Sequence, residues 1–165
     1  MKIGILSDSH DNLPAMEKVV ALFNKESVDH VIHCGDVVAP FTYRVFEQLQ
    51  AKITAVFGNN DGEILGLKET FAKFGEISKP PKEIELDGKW ILIDHFFTDR
   101  HLEALAASDQ YFAILFGHTH QIVNKHIGNT IILNPGEVCG YLTGRCTCAI
   151  LDTEAGTAEI REIES

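Results

Sequence analysis

The sequence predicts an α/β fold in which two sheets pack face to face and helices cover the outside. The first half of the chain alternates strands with helices, which is typical of a parallel sheet with right-handed crossovers. The second half is rich in strands and turn signals, which indicates mostly antiparallel hairpins. The chain has 165 residues, 45% of them hydrophobic, so one globular domain over residues 1–165 is expected.

The first half supplies three strands and three helices. Residues 2–7 form a short apolar run that predicts a buried strand. Pro14 suits a first helical turn, and the apolar residues after it repeat at helical spacing, which predicts a helix over 13–25. The further expected elements are strands at 29–33 and 53–57 and helices at 41–50 and 64–74.

The second half begins after Lys79-Pro80-Pro81-Lys82, the nearest feature to a seam in the chain. Asp87-Gly88 and Gly128-Asn129 each separate two apolar runs, and each dipeptide predicts a tight hairpin turn. The expected elements are strands at 83–87, 89–94, 112–116, 121–127 and 130–134, a helix over 99–108, and a final strand pair at 145–151 and 157–163.

Charge and composition restrict the partners. Lys and Arg number 14 and Asp and Glu number 24, so the formal net charge is −10. That balance disfavours a broad phosphate-binding surface, and no extended nucleic acid is expected as a partner. No apolar run approaches the roughly 20 residues of a spanning helix, and the first residues do not resemble a signal peptide. We therefore expect a cytoplasmic protein that does not bind membranes.

The four cysteines form no C-x-x-C pair. Cys146 and Cys148 are two residues apart, which places both side chains on one face of a strand. They could chelate a soft metal, but burial as small apolar side chains is the preferred interpretation.

Polar residues follow five of the predicted strands at the point where each strand ends. Ligand sites in open α/β sheets lie beyond the carboxyl ends of the strands. Imidazole, carboxylate and amide groups are ligands for divalent first-row metals. Seven candidates are too many for one tetrahedral zinc site and suit two metals that share a carboxylate. They are Asp8, His10, Asp36, Asn59, His95, His118 and His120.

The series of motifs resembles the calcineurin-like metallophosphoesterase superfamily. The motifs are D-x-H at 8–10, G-D at 35–36, G-N-x-D at 58–61 and G-H-x-H at 117–120. The small size and N-P-G at 134–136 resemble its compact YfcE-like phosphodiesterase branch. The resemblance implies a four-layer α-β-β-α sandwich of two mixed sheets with outer helices.

The resemblance also implies roles for the candidate ligands. Asp36 would bridge two divalent metal ions. Asp8, His10 and His120 would complete the first metal site, and Asn59, His95 and His118 would complete the second. Manganese (Mn2+) is the expected metal, with nickel, iron and zinc as alternatives.

The implied activity is a dimetal-dependent phosphodiesterase that hydrolyses small phosphodiesters by in-line attack of a metal-bridging hydroxide. Three alternatives stay open: a phosphomonoesterase on the same core, a nuclease for short oligonucleotides, and a non-catalytic protein-binding scaffold of the same fold, like the small subunit of retromer. A homo-oligomer is also left open.

Two positions depart from the family pattern. Asn60 stands where many members have a histidine that can protonate the leaving group, so only a contact with the substrate phosphate is assigned to it. Phe96 and Phe97 follow His95 where the family usually has glycine and histidine. These phenylalanines either offer a surface for a substrate base or pack into the core.

Five further residues are expected to be structural or exposed. They are the remaining histidines, His30, His33, His101 and His126, and Arg100, which precedes one of them.

Overall fold

The computed structural model describes residues 1–163, and this part of the chain contains eleven strands and four helices. The strands are β1 (Lys2–Leu6), β2 (His30–His33), β3 (Lys52–Val56), β4 (Gly75–Ser78), β5 (Lys82–Leu86), β6 (Lys89–Ile93), β7 (Ala113–Leu115), β8 (Ile122–Ile127), β9 (Thr130–Pro135), β10 (Cys146–Asp152) and β11 (Thr157–Ile163). The helices are α1 (Leu13–Lys25), α2 (Tyr43–Phe46), α3 (Ile64–Phe71) and α4 (Asp99–Ala106), with a 3-10 turn at Pro40–Thr42.

The strands form two mixed sheets. The first sheet has the order β11-β10-β1-β2-β3-β4, and the second has the order β5-β6-β7-β9-β8. In the first sheet β1, β2, β3 and β4 run parallel, while β10 pairs antiparallel with β1. The chain passes from the first sheet to the second between β4 and β5, and it returns to the first sheet with β10.

Three apolar clusters separate four layers. Between the sheets, Ile5 and Ile32 of the first sheet belong to the same buried cluster as Ile93 of the second. The outer face of the first sheet packs against α1, α2 and α3, and the outer face of the second packs against α4. The expected four-layer α-β-β-α sandwich is confirmed. None of the helices in residues 1–163 is long and apolar enough to cross a bilayer.

Local signals that do not depend on distant contacts agree well with the structure. Asn12 caps α1, since its Oδ1 accepts a hydrogen bond from the Ala15 amide at 3.3 Å, and Pro14 lies in the first turn. Asp87 and Gly88 both have positive φ, 54° and 68°, as a two-residue hairpin turn of type I′ requires. The structure has the hairpins at both predicted dipeptides.

The helix predicted over 41–50 is wrong. The structure has the 3-10 turn at Pro40–Thr42 and then a single α-helical turn, α2. The cause is a contact with α1: Asn24 donates from Nδ2 to the Gln48 carbonyl and accepts the Gln50 amide on Oδ1. In the predicted helix the Gln50 amide would have donated to the Phe46 carbonyl, so its bond to Asn24 replaces a helical hydrogen bond.

One further element of the fold differs from the expectation, and the strand pairing of the second half agrees with it. The short strand β4 was not predicted, because four residues with one buried side chain, Ile77, give almost no period-two signal. The second half is mostly antiparallel, as expected: β5–β6, β8–β9 and β10–β11 pair antiparallel, and only β6–β7 and β7–β9 pair in parallel. α4 and the connection after β7 act as crossovers there.

The two cysteines on β10 agree with the preferred interpretation. Cys148 is fully buried in the cluster beneath α1, and Cys146 packs against the same cluster while half-buried. Both thiols are free, and so are Cys34 and Cys139.

Candidate metal centre

The seven predicted ligands meet at one edge of the sandwich, and each follows the carboxyl end of a strand. The first sheet supplies Asp8, His10, Asp36 and Asn59, and the second supplies His95, His118 and His120. Successive contacts join all seven in one row. The distances are 3.3 Å from His120 Nε2 to Asp8 Oδ1, 3.9 Å from Asp8 Oδ1 to His10 Nε2, 3.5 Å from His10 Nε2 to Asp36 Oδ2, 3.4 Å from Asp36 Oδ2 to His95 Nε2, 3.0 Å from His95 Nε2 to Asn59 Oδ1 and 2.8 Å from Asn59 Oδ1 to His118 Nδ1.

Five of these residues adopt the left-handed backbone conformation that side chains other than glycine rarely occupy. Their φ angles are 51° for Asp8, 39° for His10, 60° for Asp36, 67° for His118 and 58° for His120. Each such residue costs about 1–3 kcal/mol and persists only where the surroundings enforce the conformation. Backbone hydrogen bonds between the loops do so, among them Asp8 N–H to the Gly35 carbonyl at 3.0 Å. This conformational free-energy cost is concentrated in the loops that orient the ligand side chains.

The glycines before three ligands leave space for ligand side chains. A Cβ on Gly58 would lie 2.1 Å from Asp36 Oδ1, and one on Gly117 would lie 2.6 Å from Asp8 Oδ2. A Cβ on Gly35 would lie 2.5 Å from His95 Nδ1. Replacing any of these glycines with a residue that has a Cβ would therefore displace a ligand side chain.

The first predicted metal position contains buried polar atoms that no hydrogen bond satisfies. Asp8 Oδ1 and His10 Nε2 are buried and have no hydrogen-bond partner. His120 Nδ1 contacts the Glu137 carboxylate at 2.7 Å, so the proton of this ring lies on Nδ1 and Nε2 presents a lone pair to Asp8. Burial raises the pKa of Asp8. A cation would relieve the repulsion and neutralise the buried carboxylate, so these residues fit a metal ion.

The second predicted metal position also favours a cation. His95 Nδ1 lies 2.8 Å from the Cys34 carbonyl and donates to it, so in a neutral ring Nε2 faces Asp36 and Asn59 as an acceptor. Burial alone would lower the pKa of His95, but the hydrogen bond and charge of Asp36 outweigh it and raise that pKa. Burial alone would likewise raise the pKa of Asp36, but hydrogen bonds from Asn60, and from His95 when its ring is protonated, hold that pKa well below its ordinary value. The position therefore attracts positive charge.

Asp61, which belongs to the third motif, fixes the loop that carries Asp36 by accepting hydrogen bonds from backbone amides. Its Oδ2 accepts the amides of Asp36 at 3.0 Å and Gly58 at 2.7 Å, and its Oδ1 accepts the Val38 amide at 2.7 Å. One buried carboxylate thus fixes two ligand-bearing loops to each other.

His33 is structural, as expected, and it supports the site. Its Nδ1 accepts the Gly35 amide at 3.1 Å, so Nε2 carries the proton and donates to Ser9 Oγ at 3.0 Å. Full burial lowers its pKa to about 3, which keeps the ring neutral near pH 7. His30, also structural, bonds Thr54 at 2.9 Å. The other expected bystanders, Arg100, His101 and His126, are exposed.

Glu137 is the residue near the site that the sequence reasoning missed. It is fully buried directly after β9, and its carboxylate contacts His120. Glu137 follows the N-P-G motif at the end of a strand, so the rule that located the other candidates could have located it as well.

Asn60 and the two phenylalanines have distinct environments. The Asn60 amide and side chain both donate to Asp36, at 2.8 and 2.6 Å, so its side chain orients this carboxylate, and a contact with substrate phosphate stays a prediction. Phe97 is buried against α4, whereas Phe96 is 47% exposed and meets the His118 ring edge-on, with 4.8 Å between the centroids. Packing into the core therefore describes Phe97, and only Phe96 is exposed enough to offer a surface for a substrate base.

A four-layer sandwich with histidines, aspartates and an asparagine at its strand ends is the arrangement that the resemblance to metal-dependent phosphoesterases implies. Residues 1–156 match the model of the calcineurin-like phosphoesterase superfamily domain, and the chain belongs to this family. The chain is 45% identical over 165 residues to Phosphodiesterase MJ0936 of Methanocaldococcus jannaschii, covering 99% of this chain and 98% of that protein.

A bacterial relative and a solved structure agree with this assignment. Phosphodiesterase YfcE of Escherichia coli is 31% identical over 153 residues, which cover 84% of this chain and 79% of that protein. The solved structure of an archaeal phosphodiesterase superimposes with a TM-score of 0.93 at 42% identity, covering 99% of this chain and all of that one. The resemblance to the compact branch is confirmed.

Proposed function

We propose that the protein is a dimetal-dependent phosphodiesterase that hydrolyses small phosphodiesters. One observation carries the proposal: the row of candidate ligand atoms from His120 to His118 includes two buried atoms that have no hydrogen-bond partner. The phosphodiesterase names of the relatives at 45% and 31% identity support the reaction. The chain's own residues support a site with room for two cations.

The row of ligands divides into two halves around Asp36. In the proposal, Asp8, His10 and His120 hold the first ion, Asn59, His95 and His118 hold the second, and Asp36 contacts both. When bound, two divalent ions supply Lewis acidity toward the phosphate and lower the pKa of a water molecule. Manganese is the proposed metal because two carboxylates and an amide oxygen suit it, and the imidazoles keep nickel, iron and zinc as alternatives.

The chain itself orients the ligands and admits the substrate. Asn60 holds both Asp36 oxygens through its backbone amide and its side chain, so the central carboxylate keeps one orientation. Asn59 and His118 are exposed, so the second position opens to solvent. This open side supports a small, anionic phosphodiester as the substrate, and the net charge of −10 disfavours a long nucleic acid.

The decisive experiment compares two nitrophenyl esters on protein that has been stripped of metal and then reloaded. Hydrolysis of bis(p-nitrophenyl) phosphate and of p-nitrophenyl phosphate is measured with added Mn2+, Ni2+, Fe2+ or Zn2+. We expect turnover that requires metal and favours the diester. A preference for the monoester would support the phosphomonoesterase alternative instead.

The matched control is Asp36→Asn, which keeps the size of the central side chain and removes its charge. We expect loss of turnover in this variant while its circular dichroism spectrum stays unchanged. Tight metal binding by the unaltered protein without turnover of either ester would favour the scaffold alternative. A cytoplasmic location also stays a proposal, and four free cysteines support it.

A further inference from the structure

Glu137 is a buried carboxylate surrounded by hydrogen-bond donors. It is fully buried, and Oε2 lies 2.7 Å from His120 Nδ1 and 3.0 Å from Cys139 Sγ. Oε1 accepts the Leu142 amide at 3.0 Å and the Thr143 hydroxyl at 2.7 Å, as well as the Thr143 amide. The Leu142 and Thr143 amides can only donate, so these contacts favour the carboxylate over the protonated carboxyl.

An anionic Glu137 determines the state of the His120 ring. A carboxylate can only accept, so Nδ1 must carry the ring proton. The lone pair then lies on Nε2, which faces Asp8 Oδ1 at 3.3 Å and points into the first predicted metal position. An anionic partner also makes the imidazole a stronger electron donor to a metal than a neutral partner does.

The second predicted metal position lacks this feature at its buried histidine. The corresponding contact of His95 Nδ1 is the neutral Cys34 carbonyl at 2.8 Å. Both rings thus have a preferred tautomer, but of these two only His120 has a negatively charged partner at Nδ1. The difference between carboxylate and carbonyl is the physical basis for unequal metal affinity.

We propose that Glu137 is a positioning residue that fixes the tautomer and strengthens the metal bond of His120, so that the first position binds its ion more tightly than the second. This inference rests on the proposed two-metal function. It assigns a role to a residue outside the seven predicted ligands and predicts an order of metal loading, first position before second.

The test is calorimetric titration of metal-free protein with Mn2+. We expect two binding events in the unaltered protein, and we expect Glu137→Gln to weaken the tighter event by about 10-fold and Glu137→Ala by up to about 100-fold. The weaker event should change little. Tight binding that is unchanged in both variants would overturn the inference, while absence of metal binding in the unaltered protein would instead overturn the proposed function.

Thr143→Val is the matched control, because it removes one donor to Glu137 and leaves the contact with His120. If Glu137 only stabilises its loop, all three variants should lower the melting temperature of metal-free protein without changing metal affinity. That result would contradict the proposal.

A second measurement reports the tautomer of the His120 ring directly. Long-range 1H–15N NMR spectra of metal-free protein should give the Nδ1–H tautomer for His120, and Glu137→Ala should convert it to a mixture of tautomers. Retention of a single tautomer in Glu137→Ala would also contradict the inference.

Discussion

Phe96 and Phe97 are chain neighbours in opposite environments, and each contributes to the site differently. Phe97 packs among Phe116 and the side chains of α4, which anchors the loop after β6. With its neighbour anchored, Phe96 remains 47% exposed against His118, beside the second predicted metal position. An exposed aromatic ring at that place can stack on the aromatic group of a substrate.

Phe96→Ala should therefore raise KM for a diester that carries a nucleobase more than KM for methyl p-nitrophenyl phosphate. Stacking on one base contributes about 1–3 kcal/mol, so a change of at least about fivefold is expected for the nucleobase ester. Steady-state kinetics with thymidine 5′-(p-nitrophenyl phosphate) would measure it.

Trp90→Ala is the matched control, since Trp90 is 48% exposed and lies near the other end of β6. It should leave both KM values unchanged. Equal changes for the two esters in Phe96→Ala would rule out stacking by this ring.

At the scale of elements, the loops that follow the strands provide the ligands because their backbones approach very closely. Gly58 lets the loop after β3 lie against Asp36 on the loop after β2, and Asp61 joins the same two loops by hydrogen bonds. The ligand geometry is therefore a property of the loop pair.

Gly58→Ala should disrupt that pair, because the added Cβ would lie 2.1 Å from Asp36 Oδ1. A displacement of about 1 Å in a reacting group can lower turnover by about 100-fold, and a loss of that order is expected for bis(p-nitrophenyl) phosphate. Gly62→Ala, on the segment that leads to α3, is the matched control, since nothing lies within 4 Å of its Cβ. Similar activity in the two variants would contradict the steric argument.

Elements that depend on interactions between chain neighbours could be predicted from the sequence, whereas elements that depend on distant contacts could not. Hairpins at Asp87-Gly88 and Gly128-Asn129 depend on the conformation of two residues and were predictable. The end of α2 depends on Asn24, which lies in another helix, and no local pattern contains that information. The position of Glu137 after a strand was visible in the sequence, but its contact with His120, 17 residues earlier on a different loop, has no local signal.

Across the whole molecule, the predicted ligands come from both sheets. Asp8 and Asp36 belong to loops of the first sheet, and His95 and His120 belong to loops of the second. Ions bound among them would connect the two sheets at one edge of the sandwich, in addition to the apolar cluster between the sheets. Metal binding and folding stability are therefore expected to be linked.

Saturating metal should raise the melting temperature. At a free metal concentration of about 100 times Kd, one bound ion adds about 2.7 kcal/mol, which corresponds to roughly 5–10 °C in a chain of this size. Differential scanning calorimetry with Mn2+ and with EDTA would measure the shift. Asp36→Asn should shift far less, and an equal shift in this variant would show that the stabilising ions bind elsewhere.

The position of β10 has a consequence for protein synthesis. Strand β1 is made first, yet one of its two edges pairs only with β10, whose partner residues are Ala149 to Asp152. Until those residues leave the ribosome, the growing chain keeps an apolar strand edge uncovered, although every predicted metal ligand has already been made. A chain whose translation stops between residues 120 and 146 would thus contain all seven ligands and still expose β1. Such a product would be a natural target for chaperones and for degradation.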